Sequence, residues 1–504
     1  MKKRFARRVA ALLVCAGMVG TVAADGGAPL GPQAARQLLT RAGFSPAPQE
    51  VTALAAMSQR AAVEQLIAGV RKQAQTAAPA WIDEPLVLPR ELRSRSEDAR
   101  RAYRQTLVRQ SLELRGWWLR EMVATPSPLT ERMTLFWHNH FVSAQPKVLW
   151  PQPLYRQNVL LREHAVGKFG TLLHAIVRDP ALLIYLDGAT NRRGQPNENL
   201  ARELLELFTL GQGRYTEVDV KEAARALTGH SIDPSSGEYV YRRLAHDGGS
   251  KTILGRHGAF TGDGLVDLLL AQPATAEYIV AKLWREFVSP LPDPARVDAI
   301  AAAFRGSGYE IAVALRELLN QPEVVAAEPA QALVKSPVEL VVGLVRQSGG
   351  ELGQPIGAAL VTAAMGQNLF AAPNVRGWPG GEAWINTQTL LARKQFIDGV
   401  LAGPAADMAL QPLPAALDLA DVDPQQQRRA ELARQAVRRA VRLDGGAWLK
   451  AAAGVGAERP LSAAEIERLA GSLGTVAPVS PPAAGTLALD ALRGLLLDPS
   501  YQLK

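Results

Sequence analysis

A chain of 504 residues, 47% hydrophobic and 21% charged, is globular and long enough for two or three domains or one large helical body. Its formal charge of +8 is carried largely by Met1–Ala24, which holds Lys2, Lys3, Arg4, Arg7 and Arg8 and no acid; beyond it stand 51 basic residues against 48 acidic ones, too even a balance to argue for a nucleic-acid partner. The single cysteine, Cys15, lies in the same stretch, so the chain after it can form no disulfide, thiolate metal site or cysteine nucleophile.

Taken in order, the N-terminus reads as an export signal, residues 1–24. A basic start leads into the short apolar run 9–22, and the small residues Ala23 and Ala24 precede Asp25. An uncleaved anchor is the alternative. No later apolar run is long enough to span a bilayer, so the mature chain is expected to be exported, periplasmic or extracellular. The rest reads as mainly α. Helices are expected at 33–42, within 48–68, over 91–125 and 129–137, then at 162–177 and 180–186. Pro196 suits the first turn of a helix reaching Leu210, with Gly211 as its stop. Thr216 to Asp219 resembles a cap for a helix through Leu227, ended by Gly229. Residues 238–255 change character: Tyr239-Val240-Tyr241 and Lys251 to Leu254 read as one small β-hairpin turning at His246-Asp247-Gly248-Gly249. Helices resume at 265–270, 274–288, 294–304, 311–319, 337–346, 356–365 and 387–401. A Pro/Gly/Trp loop, 371–385, lies among them; Trp378 and Trp384 there are expected in the core rather than stacked on a sugar. The organisation expected is a main helical domain over 25–402, a Pro/Ala-rich linker at 403–424 and a helical cap over 425–504.

Chemistry concentrates in two segments. One is Trp137-His138-Asn139-His140-Phe141, two of the chain's seven histidines between aromatic residues. The other is Asn197-Glu198-Asn199 through Glu206. On a helix Asn199, Glu203 and Glu206 share a stripe, and Glu198 pairs with Arg202 four residues on. His138 and His140 point the same way only in extended chain, so both reach one ion only if the helix ends near Trp137. In that case His138, His140 and Glu203 form a candidate site for a divalent transition metal, Zn, Mn or Fe, with Glu206 or Asp247 as base towards bound water. Asp187, Asn199, Glu198 and His246 are further candidate site residues. The competing reading makes the same groups a buried hydrogen-bond network. The Gly-rich stretch 255–264 lacks a phosphate-loop lysine, and no Gly-x-Ser-x-Gly elbow occurs.

Several segments together are similar to a bacterial family catalogued as domain of unknown function 1800. They are Ala35 through Phe44, Leu129-Thr130-Glu131-Arg132-Met133, the His138 segment, Pro196 through Gly211, Glu222 through Gly229, His246-Asp247, Lys335-Ser336-Pro337-Val338-Glu339, Met365-Gly366-Gln367 and Gly377-Trp378. His230 departs from the pattern, where similar proteins often carry an aromatic residue. The resemblance implies an exported, mainly helical protein and no agreed reaction. Two functions follow as expectations: metal-assisted hydrolysis of an envelope component, or a non-catalytic role in envelope binding or assembly. The partner would be an envelope component or another exported protein.

Overall fold

Helix boundaries fall where capping chemistry sets them. The computed structural model describes residues 27–504 apart from 88, 234–235, 327, 329–331, 403–434 and 436–438, so the expected signal and the 403–424 linker lie outside the described residues. Ser96 caps the 28-residue helix Glu97–Ala124, and Pro128 opens the next, Pro128–His140, hereafter the His helix. Asp179 caps Pro180–Tyr185. Thr216 and Asp219 form the expected capping box of Glu217–Ala226, as Ser336 and Glu339 do for Pro337–Ser348. The expected 162–177 helix is divided: Pro151–Glu163 ends at His164 and Phe169–Ile176 begins afresh. The gap is held by Ile311 N, which donates to Gly167 O at 2.9 Å. Pro151 and Pro153 hid the first of these helices, although proline fits a first turn, where its missing N–H is no loss.

The molecule is mainly α with small antiparallel hairpins. Both expected strands exist but are partnered otherwise. β1 (His230–Ile232) pairs with β2 (Tyr239–Tyr241), and β3 (Lys251–Ile253) pairs with β4 (Arg256–Gly258). The β3–β4 turn is Leu254-Gly255, both with positive φ (50° and 75°), the two-residue geometry that matches strand twist. His246-Asp247 is therefore a link between two hairpins rather than the tip of one. A third pair, β5 (Glu351–Leu352) with β6 (Val441–Arg442), lies elsewhere.

Apolar side chains gather in two clusters. The first takes residues from Ala35 to Val324. The second joins Trp117, Trp118 and Met122 to helices Pro337–Ser348 and Pro355–Ala364 and to the C-terminal helices Gly445–Ala453, Ala463–Leu473 and Ala488–Leu497. The His helix lies between them. Leu129, Met133, Phe136 and Trp137 belong to the first cluster and Leu135 to the second. A helix buried on nearly every side needs its polar groups matched. Accordingly buried Glu131 accepts from both Arg162 Nε (2.6 Å) and Nη2 (2.9 Å), and from Trp118 Nε1 at 2.7 Å. Arg132 binds Glu339 and, at 2.6 Å, Glu286; Glu339 also holds Lys504.

Candidate functional site

The His helix continues through His140. Residues two apart then differ by roughly 200° about the axis, and the two imidazoles face opposite cores. His138 meets Trp118, Phe370 and Trp378, whereas His140 meets Phe141, Phe208 and Tyr278. His138 Nε2 accepts from Phe370 N at 3.2 Å, which leaves the proton on Nδ1, a buried atom with no hydrogen-bond partner among the described residues. His140 uses both nitrogens: Nε2 donates to Phe208 O (3.2 Å) and Nδ1 accepts from Lys282 Nζ (2.8 Å). Burial holds His138 down to about 3; burial and the Lys282 ammonium hold His140 well below its ordinary range. Both are neutral at physiological pH. Asn139 between them clamps a loop, accepting from Trp378 N (2.7 Å) and donating to Trp378 O (3.2 Å). Trp378 and Trp384 are buried, as expected.

The Glu segment forms a second layer. Its helix runs Asn199–Leu205 and passes into a π-turn, Glu206–Leu210, that Gly211 ends (φ 84°). It starts three residues after Pro196, because Asn191 and Asn197 take the entering backbone: Asn191 Oδ1 accepts from Asn197 N (2.9 Å), and Asn197 Oδ1 from Asn199 N (3.0 Å). The wider π spacing lets Thr209 Oγ1 donate to Leu204 O at 2.6 Å, and it presents the Phe208 carbonyl to His140. Such turns recur at functional sites. Glu206 accepts from Tyr215 Oη (2.7 Å), Gln212 Nε2 (2.8 Å) and Arg376 (3.0 Å), and these bonds pull its carboxyl down. Glu203 is half-buried and accepts no hydrogen bond among the described residues. Burial, then Glu206, pushes it up, against Arg376 and Arg202. Asp187, in the left-handed region (φ 58°), takes Lys147 Nζ at 2.8 Å and Asn199 Nδ2 at 3.2 Å. Glu198 does pair with Arg202, at 3.4 Å, although Glu217 is the closer partner at 2.7 Å.

His246 and Asp247 belong to a separate network. Asp247 is bound by Arg225 (2.8 and 3.2 Å) and Gly249 N (2.9 Å), which lowers it to about 2. His246 Nδ1 donates to Thr228 O (2.9 Å), and Thr228 Oγ1 accepts from Asp247 N (2.8 Å). None of these groups bonds to Glu203 or the His helix among the described residues. Asp247 is thus an anchored carboxylate, poorly suited to take a proton. The His138–His140–Glu203 ligand set is not assembled either. It requires a helix ending near Trp137, and no group of three His, Asp or Glu side chains that could hold a metal ion occurs among the described residues. Sequence reasoning missed Lys282, Arg376 and Lys147. Lys282 follows Tyr278 by four residues on helix Pro273–Phe287 and shares its face with Arg285 and Glu286, so it left no signal that set it apart from a solvated charge.

Fold and site together define a helical protein whose motif residues mostly bind its own backbone and one another. The chain belongs to the family described as Protein of unknown function (DUF1800), whose model matches residues 37–503. No curated protein and no solved structure matches it.

Proposed function

We propose that this is an exported envelope-binding protein in which His138, Asn139 and His140 form a structural floor and ligand recognition falls to the recess around Glu203. One observation carries the reading: in a cluster whose other carboxylates are paired, Glu203 alone is half-buried and has no hydrogen-bond or ion-pair partner among the described residues. A desolvated carboxylate without donors favours a ligand that brings them, a hydroxyl, amide N–H or ammonium. Arg376 and Arg202 act on it through space without hydrogen-bonding to it among the described residues. The test is cosedimentation of residues 25–504 with purified envelope fractions (sacculi, extracted polysaccharide, lipid vesicles) at roughly 0.5 M salt, where screening removes non-specific ionic retention. Retention by one fraction, lost in Glu203→Gln at unchanged melting temperature, is expected. Retention by none, or equal retention of the variant, overturns the reading.

A second reading, acid–base hydrolysis, has its own support. Glu203 is pushed up and Glu206 down, the separation that lets one carboxyl donate a proton while its neighbour stays ionised. It requires released product in the same incubations and loss of it in both Glu203→Gln and Glu206→Gln. Metal assistance would require His140 to give up Lys282 or Phe208. Elemental analysis of parent and His138→Gln, after incubation with Zn, Mn or Fe, tests it through a bound equivalent that depends on His138.

A further inference from the structure

A cleft of about 850 Å³ is walled by residues from 189–198, by β1 and Gly229 before it, and by Arg242 and Ala245. It has the size of a small-ligand site, and its lining is polar: Thr190, Gln195, Asn197 and Ser231 offer amides and hydroxyls. Arg192 and Arg242 both line it. Both are held through neutral groups, Arg192 by Gln195 Oε1 (2.7 Å) and Arg242 by Ser231 Oγ (3.2 Å) and Ile232 O (3.4 Å), so each guanidinium is oriented while further N–H donors stay free. Arg193 and Arg243 are their exposed chain neighbours, and Arg193 N donates to Ala245 O (2.7 Å), tying the two loops together. None of the four exposed arginines has a carboxylate partner among the described residues. Some other exposed arginines do, as in Arg214–Glu277 at 2.6 Å and Arg376–Glu206 at 3.0 Å, while Arg101 and Arg256 among the described residues do not. The one carboxylate in the lining, Glu198, is turned to Arg202.

We propose that this cleft binds a segment of acidic polysaccharide, its carboxylates taken by Arg192 and Arg242 and its hydroxyls by the amide and hydroxyl groups between them. Oriented guanidinium forks suit carboxylates. A concave wall of amides and hydroxyls suits a sugar better than a flat lipid surface, for which the turn Arg243–Ala245 offers one proud apolar residue, Leu244, 98% exposed. Calorimetry on residues 25–504 with tetragalacturonate, maltotetraose and phosphatidylglycerol vesicles tests it. Tetragalacturonate should bind and maltotetraose should not. Affinity should fall about tenfold or more in the double variant Arg192→Ala/Arg242→Ala, hold in Arg214→Ala, and fall as salt rises. The site stands apart from the Glu203 recess, so either proposal can fail alone. Equal binding of the neutral sugar, no binding of the acidic one, or an unaffected double variant overturns the inference. So does binding to vesicles alone that Leu244→Ser abolishes, which would mark a membrane surface instead.

Discussion

Burial holds the His138 imidazole at about 3, against its ordinary 6.5, and depresses His140 in the same direction. The unfolded chain therefore takes up protons as pH falls through 6.5 while the native state does not. Between those values the unfolded state binds more protons, so stability is complete above 6.5 and drains away towards 3. Chemical denaturation across that range should show a shallower fall in His138→Gln, which keeps an acceptor for Phe370 N and loses the titration; identical slopes would mean His138 contributes nothing to acid sensitivity. Gly377 makes a second prediction. Its φ is 80°, and an added Cβ would stand 2.2 Å from Asn139 Oδ1. Gly377→Ala should cost about 2 kcal/mol or more from backbone strain and clash, and Asn139→Ala about 1–3 kcal/mol from two orphaned backbone groups. Urea midpoints check both. At this scale the sequence disclosed where the polar cluster lies but not where each side chain points. That depended on whether the helix ran past Trp137, and the partners that decide it (Phe208, Phe370, Lys282) are remote in the chain.

The hairpins show the same division. The residues of β2 and β3 and the helix stops at Gly211 and Gly229 were legible, because those signals are local; their partner strands β1 and β4 were not. Strand pairing was not, because Arg225 and Thr228 draw His246-Asp247 onto the end of helix Glu217–Ala226 and leave Leu254-Gly255 to turn β3 into β4. The π-turn also escaped, since its i to i+5 spacing leaves no mark on an apolar stripe. Arg225→Met removes the bonds to Asp247 and to Glu222 (2.7 Å). Local opening is expected rather than global unfolding: amide exchange should accelerate over 239–258 and stay slow in the His helix. Uniform acceleration would show that this network supports the whole fold.

Across the whole molecule, the buried ion pairs join segments far apart in sequence: Glu131 with Arg162, Arg132 with Glu339, and Glu339 with Lys504. The mainly helical class was evident from periodicity, and the family from its ordered motifs. That most of those motifs pair with one another was not, since partner choice among many charged residues needs the third dimension. Removing one member of a buried pair leaves the other uncompensated, so Arg162→Met should cost about 3–5 kcal/mol. The second apolar cluster also contains the C-terminal helices. A chain cut after residue 402 should therefore melt without the parent's cooperative calorimetric peak, while a sharp transition at the parent temperature would make the C-terminal segment an independent unit.

The His helix has a further consequence for how this chain can vary over generations. Each of its turns is read twice, once by each core, so its rotational phase is fixed from both sides. A single residue inserted or deleted within the helix before His138 would turn it by roughly 100°, swinging both imidazoles away from their partners at once. Length drift in this lineage should therefore collect in the connecting loops and stop at the ends of these thirteen residues.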